Sequence, residues 1–289
     1  MANKHIDELS GIETTGHEWD GLRELNNPLP RWWLWTFYLT CIWAFAYWIV
    51  YPAWPLVTDY TRGVFGDSDR LRVQREVGEL EALRATNGAG LATASLEEIR
   101  SNPDFLQFAL ASGEAAFGDN CAPCHGSGAA GGHGYPNLND DDWLWGGTLE
   151  DIHTTLENGI RWDANDDTRI SDMPAFGRDG ILEGGQIRNV AAYVLSLSGT
   201  TTEGADIAEG QTLFADNCAA CHGEDAAGSK DLGAPNLKDA IWLYGGDLAT
   251  VVETVTNSRR GVMPAWGGRL DEVTIKSLAV YVHSLGGGQ

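Results

Sequence analysis

Cys121-Ala-Pro-Cys-His125 and Cys218-Ala-Ala-Cys-His222 are one pattern written twice in a single chain. C-x-x-C-H places two thiols on adjacent turns of backbone, where they can attack the two vinyl groups of one heme, and sets an imidazole directly after them to ligate its iron. With five Cys and seven His in 289 residues, chance supplies such a match roughly 0.002 times, so two matches are signal. A zinc site needs a second Cys or His pair in each module, and none is there. A thioredoxin-like redox pair has no use for the following His. The reading is two covalently bound hemes c, attached through Cys121, Cys124, Cys218 and Cys221, with His125 and His222 as axial ligands.

The sequence around these motifs also repeats. A short helix leads into each motif, through Ala115-Ala-Phe-Gly-Asp-Asn-Cys in one copy and Gln211-Thr-Leu-Phe-Ala-Asp-Asn-Cys in the other. A glycine-rich loop then runs to Pro136-Asn-Leu or Pro235-Asn-Leu. Trp143-Leu-Trp-Gly-Gly or Trp242-Leu-Tyr-Gly-Gly follows, then a helix, a Met-Pro loop and a closing amphipathic helix. In the closing helices Ile187, Val190, Ala191, Val194 and Leu197 correspond to Ile275, Leu278, Ala279, Val282 and Leu285, so both bury the same stripe. Unequal spacings elsewhere place the length changes in loops.

Apart from Met1, the only methionines are Met173 in Asp-Met-Pro-Ala-Phe-Gly and Met263 in Val-Met-Pro-Ala-Trp-Gly. A lone Met is ordinarily core filler, but these two occupy equivalent loop positions before Pro, where packing does not ask for them. Each is a sixth-ligand candidate, and a thioether favours ferrous iron and raises the potential, as suits an electron carrier. Own-module pairing is the simplest assumption for a repeat whose copies fold independently. His5, His17, His133, His153 and His283 read as surface or packing residues.

No charged residue lies between Arg31 and Asp59, and the interval begins Trp32-Trp-Leu-Trp and continues apolar to Pro52. About 20 such residues at 1.5 Å each cover a hydrocarbon core of about 30 Å. Trp32, Trp33 and Trp35 at one end, with Trp48, Tyr51 and Trp54 at the other, suit the interfacial belts. Residues 32–54 are therefore read as a single-pass anchor that is not cleaved, since the preceding segment is acidic and no small-residue cleavage site follows. Arginines flank the span on both sides and leave its orientation open. The hemes decide it, because in bacteria attachment to C-x-x-C-H takes place outside the inner membrane. The expectation is a cytoplasmic segment 1–31, a periplasmic linker 55–104, module 1 over 105–199 and module 2 over 200–289. Within the linker, Val73, Val77, Leu80 and Leu83 predict an amphipathic helix broken by Asn87-Gly-Ala-Gly, and Ser95-Leu-Glu-Glu a capped second one.

Forty-one acidic residues against 19 basic ones, a net of −22, speak against nucleic acid and favour a basic protein partner, such as a basic c-type cytochrome donor. Four of the five cysteines belong to the heme motifs, which leaves no disulfide framework; Cys41, mid-span, reads as packing against another helix.

The strings Gly16-His-Glu-Trp-Asp-Gly-Leu-Arg-Glu-Leu-Asn-Asn-Pro-Leu-Pro-Arg-Trp-Trp, Tyr51-Pro-Ala-Trp-Pro, Phe117-Gly-Asp-Asn-Cys-Ala-Pro-Cys-His-Gly and Asn137-Leu-Asn-Asp-Asp-Asp-Trp-Leu-Trp-Gly-Gly resemble the membrane-anchored diheme cytochrome c subunit of cbb3-type cytochrome c oxidase over nearly the whole chain. The resemblance implies an all-α fold: one N-terminal transmembrane helix followed by two class I cytochrome c modules in tandem. It implies assembly in the bacterial inner membrane with a catalytic heme-copper oxidase subunit and a monoheme cytochrome c subunit, which together reduce oxygen and pump protons. On that basis the chain is an electron-transfer subunit, part of an oxidase with no bond-making active site of its own. The resemblance also implies crossed ligation, His125 with Met263 and His222 with Met173. A free-standing membrane-anchored diheme carrier would use the same heme motifs, and a diheme peroxidase would need an open iron site that two Met-Pro loops argue against.

Overall fold

The computed structural model describes residues 5–66 and 68–286. It divides into one unit up to Leu83 and a second from Arg84 onward.

The first unit opens on a small antiparallel hairpin, β1 (Thr14–Trp19) and β2 (Leu22–Leu25). The turn between them is Asp20-Gly21, with φ of 48° and 85°, the left-handed pair that a two-residue hairpin needs. This short sheet is an addition to the otherwise helical fold, and Asp-Gly was its legible signal.

Helix α1 (Arg31–Val50) has 20 residues, and none of them is buried. It is long and apolar enough to cross a membrane. The helix stops at Val50, short of the 54 read from composition, because Pro52 forces Tyr51 out of helical geometry, to φ −111° and ψ 161°. Aromatic contacts brace its end: Tyr47 stacks on Tyr51 at 4.5 Å, and Trp48 meets Trp54 edge-on at 4.8 Å. The returning chain passes so close that a Cβ on Gly63 would lie 2.2 Å from the Val50 carbonyl oxygen.

Helix α2 (Asp69–Thr93) does not break at Asn87-Gly-Ala-Gly. Its glycines are close-approach residues instead: a Cβ on Gly90 would meet the Phe105 ring at 2.5 Å, and one on Gly88 would touch Phe108 and Val273 at 3.3 Å. Val73, Val77, Leu80 and Leu83, the stripe read from sequence, are all exposed. Past Arg84 the linker joins the core, since Leu91 and Ile99 are fully buried. Lys276 Nζ donates to the carbonyls of Leu91, Ala92 and Ala94 at 3.4, 2.9 and 3.1 Å, satisfying acceptors that a helix end leaves open.

The second unit holds α3 (Leu96–Ser101), α4 (Pro103–Asn120), α5 (Ala122–His125), α6 (Leu149–Asn158), α7 (Gly184–Leu197), α8 (Ile207–Asn217), α9 (Ala219–His222), α10 (Leu248–Asn257) and α11 (Glu272–Ser284). Side-chain caps fix their starts: Ser95 accepts from Glu98 N at 3.2 Å, as its motif predicts, and Asn102, Thr148, Asp206, Asp247 and Asp271 cap α4, α6, α8, α10 and α11.

Two cores form, and neither coincides with one repeat. The first joins Leu91, Ile99, Phe117, Cys121, Leu149, Ile152 and Leu156 to Ile275, Leu278, Ala279 and Val282 of α11. The second joins Ile187, Val190, Ala191 and Val194 of α7 to Phe214, Val251 and Val255. The closing helices have therefore exchanged places, each packing on the heme-motif helix of the other repeat. Both crossings have the same geometry. Gly113 of α4 brings the Ser277 carbonyl within 2.4 Å of where its Cβ would be, and Gly210 of α8 does the same with the Asn189 carbonyl at 2.2 Å. One step along, Phe117 meets Tyr281 at 5.6 Å and Phe214 meets Tyr193 at 5.5 Å, both pairs tilted by 56°. The predicted stripes are buried as read, with Leu197 and Leu285 half-buried at their ends; the partners differ from those a tandem reading of 105–199 and 200–289 supplies.

Candidate functional site

Each C-x-x-C-H stretch closes the helix before it and forms one short helical turn. Cys121 and Cys218 end α4 and α8, their N–H groups bonded to Phe117 O and Phe214 O at 2.8 Å. One cysteine of each pair, Cys124 or Cys221, is exposed, while Cys121 is buried and Cys218 half-buried. Burial, with the neighbouring thiol adding to it, pushes Cys121 and Cys218 up to about 11.

The two histidines are held alike. His125 Nδ1 lies 3.0 Å from Pro136 O, and His222 Nδ1 lies 3.0 Å from Pro235 O. A ring whose Nδ1–H donates to a carbonyl presents an unprotonated Nε2, the arrangement of a metal-ligating imidazole. Burial lowers both pKa values, against the raising effect of the proline hydrogen bond, so the neutral ring is favoured. In the sequence Pro136 and Pro235 are repeat landmarks only; their carbonyls act through side-chain hydrogen bonds that no spacing announces.

Met173 and His222 line one cavity of about 530 Å³ together with Cys218, Cys221, Phe176, Val190, Val194, Phe214, Trp242 and Val255. Met263 packs on the other core, the one that contains Cys121 and Ala129, beside Leu138 and Trp143. The backbone accounts for this distribution. Trp266 N and Gly267 N donate to Leu156 O and Glu157 O of α6 at 2.9 and 3.1 Å. Phe176 N and Gly177 N make the corresponding bonds to Val255 O and Thr256 O of α10, at 3.1 and 3.2 Å. Met263 also exchanges a bond pair with Ile160 at 2.9 and 3.0 Å, and Ser258 Oγ donates to Met173 O at 2.5 Å. Gly159, at φ 71°, lets the Met263 strap pass: a Cβ there would lie 2.5 Å from the Met263 carbonyl oxygen. Each Met-Pro strap thus lies on the middle helix of the opposite repeat.

A reciprocal clasp, also invisible in the sequence, joins the two heme-motif loops. Trp145 of the first repeat lies against Gly233 of the second, where a Cβ would meet its ring at 2.2 Å, and Tyr244 of the second lies 3.2 Å from the corresponding point on Gly134 of the first. Gly134 N donates to Leu243 O at 2.8 Å.

Two thiols on a turn, an imidazole oriented through its second nitrogen, and a thioether in an apolar cavity fit heme c in donor type and surroundings. Of the other histidines, His153 sits on α6 with Nδ1 3.8 Å from Glu157, and His133 lies against Tyr244 at 5.9 Å; neither shares a site with a cysteine pair.

Helices around two C-x-x-C-H turns, following an exposed apolar helix in the chain, define a membrane-anchored c-type cytochrome. Residues 11–58 match the profile of the N-terminal domain of cytochrome oxidase-cbb3, FixP, and residues 108–194 and 205–282 match that of cytochrome c oxidase, cbb3-type, subunit III. The chain is 58% identical to the cbb3-type cytochrome c oxidase subunit FixP of Bradyrhizobium sp. (strain ORS 278), with 99% of each chain covered. It is 58% identical to subunit CcoP of Cereibacter sphaeroides, over 96% of this chain and 95% of that one, and 53% identical to subunit CcoP of Azospirillum brasilense over 100% of both. The chain belongs to this family and is an electron-transfer subunit of a cbb3-type cytochrome c oxidase.

Proposed function

We propose that this chain carries two hemes c on the periplasmic side of a bacterial inner membrane. There it takes single electrons from a c-type cytochrome and delivers them towards the oxygen-reducing subunit, alongside a monoheme cytochrome c subunit. Cys121 and Cys124 hold one group and Cys218 and Cys221 the other, with His125 and His222 as the first axial ligands. Heme c, when bound, supplies an iron that accepts and returns one electron. His125 and His222 keep an unprotonated nitrogen toward that iron because Pro136 O and Pro235 O engage the other one.

The sixth ligands are assigned crosswise, Met263 with His125 and Met173 with His222. The observation that carries this is the placement of each Met-Pro strap on the opposite repeat's middle helix, Trp266 N on Leu156 O and Phe176 N on Val255 O. A thioether opposite an imidazole holds the potential in the upper part of the heme range, which suits a relay towards oxygen. The exchanged helices also tie both sites into a common fold, and apolar walls such as Phe176, Val190 and Val194 exclude water. The test is a pyridine hemochrome count on the purified full-length protein. Two thioether-attached hemes per chain are expected, and a count of one overturns the proposal.

A further inference from the structure

Arg169 and Arg259 occupy the same place in the two repeats, four residues before Met173 and Met263. Each guanidinium lies over the second aromatic of the Trp-Leu-Trp/Tyr segment, Arg169 on Trp145 at 5.4 Å and Arg259 on Tyr244 at 4.7 Å. Each also donates to the carbonyl of the third residue of the helix beside it: Arg169 Nη2 to Asp151 O at 3.2 Å and Arg259 Nη2 to Thr250 O at 2.6 Å. A match of stacking partner, helix position and distance from Met in both copies marks a built feature rather than two surface arginines.

Both have spare donor capacity. Arg169 is mostly buried, 18% exposed at the side chain, and Asp151 Oδ1 lies 3.5 Å from its guanidinium. Among the described residues its Nε is buried without a hydrogen-bond partner, an unfavourable state that a ligand would relieve. Arg259 spends Nε and Nη2 on Thr254 Oγ1 and Thr250 O, and it borders the cavity that contains His222 and Met173. A planar guanidinium with donors to spare beside a cofactor site is the partner of a carboxylate, and heme c brings two propionates.

We propose that Arg169 and Arg259 are the propionate-anchoring residues, each serving the heme attached by its own repeat. Arg169 packs with α6, whose residues belong to the core around Cys121, and Arg259 packs with α10 in the core around Phe214. Met173 and Met263, only four residues later, belong to the opposite cores. Each Arg-x-x-x-Met stretch therefore touches both hemes, its arginine at one and its methionine at the other. These are positioning residues: they fix the propionate and, as cations near the iron, disfavour its ferric state.

The inference rests on the crossed ligation above, and the experiment separates the two. Spectroelectrochemical titration of the full-length holoprotein resolves two midpoints, and Met263→His or Met173→His marks which midpoint belongs to which iron. Arg169→Gln is expected to lower the midpoint of the heme marked by Met263→His and to leave the other in place. Arg259→Gln should lower only the one marked by Met173→His. The charge-conserving Arg169→Lys and Arg259→Lys should recover most of each shift, which a merely structural arginine would not predict. Two attached hemes with unmoved midpoints overturn the inference, as does a shift that falls on the heme ligated by the methionine of the same stretch. A Cys121→Ala background shows which repeat carries each marked heme: if the Met173→His signal is lost there, it is the crossed reading that fails, and a shift on the heme sharing that methionine no longer counts against the arginines.

Discussion

At the scale of single residues, the pairing of Met173 and Met263 has a direct test. Met173→His should alter the spectrum and lower the potential of one heme, because imidazole stabilises ferric iron more than a thioether does. In a Cys121→Ala background, which disables attachment in the first repeat, that altered signal should persist; its loss would show ligation within repeats. A second residue-scale prediction concerns Asp142. Burial, reinforced by Asp239 and Asp140 and opposed by Lys230, raises its pKa to about 6. A carboxyl raised above its unfolded value of 3.8 binds the proton more tightly in the folded chain, so its contribution to stability falls as pH climbs from about 4 to about 6 and is constant above. A shift of that size corresponds to about 3 kcal/mol, reduced to about 1 kcal/mol for a group half in water. Asp142→Asn should therefore gain stability over the native chain between pH 4 and 6 in thermal melts, and a difference that is flat with pH would refute this.

At the scale of elements, the helix crossings at Gly113 and Gly210 bring backbone against backbone in the second unit. A methyl group at Gly113 would meet the Ser277 carbonyl oxygen at 2.4 Å and Tyr281 Cβ at 2.6 Å. These are backbone-fixed neighbours, so α4 and α11 must separate. Gly113→Ala is expected to cost about 1–3 kcal/mol and to loosen iron ligation at the Cys121 heme while sparing the Cys218 heme. Gly210→Ala should do the reverse, and heme-specific spectra followed through a thermal melt would distinguish them. Helix α1 has an equally specific consequence. If it crosses the membrane with the second unit in the periplasm, protease added to spheroplasts should release a soluble red fragment, whereas protected hemes would refute that orientation. The exposed face of α2 carries the stripe read from sequence, but its glycines act against the usual rule. Gly88 and Gly90 ordinarily weaken a helix by about 1 kcal/mol each; here they admit Phe108 and Phe105 to the helix backbone, and this contact holds the last turns.

At the scale of the whole molecule, the exchange of closing helices makes one core continuous in sequence and the other divided. Met173 through Val255 supplies all of the second core, whereas the first needs both Leu91–Leu156 and Met263–Val282. A chain ending after Gly261 is thus expected to keep a methionine-ligated heme at His222 and to lose the sixth ligand and most packing at His125, although the first C-x-x-C-H is untouched. Independent repeats would give the opposite result, and the thioether–ferric absorption band would report which occurs. The net charge of −22 sets a further expectation for the donor. Reduction by a basic cytochrome should slow as salt rises, since the Debye length contracts from about 10 Å at 0.1 M to about 3 Å at 1 M; a salt-independent rate would point to a docking surface that does not use charge.

What the sequence determined by itself is whatever local chemistry fixes: the two C-x-x-C-H turns, the histidines that close them, the long apolar helix, the capped helix starts and the buried stripes of α7 and α11. Each depends on residues a few positions apart, so spacing is enough to read them. The choice of partner for those stripes lay outside that reach. Ile187, Val190, Ala191 and Val194 match Ile275, Leu278, Ala279 and Val282 in size and spacing, so either helix can cover either heme-motif helix, and the pattern is silent between them. The short connection from Leu197 to Ile207 favours α7 and α8 as neighbours, and the Gly113 and Gly210 crossings complete the exchange. The clasp of Trp145 on Gly233 and of Tyr244 on Gly134 follows from that arrangement. Only tertiary structure decides such contacts, because their partners come from the opposite repeat and are specified by shape rather than by order along the chain.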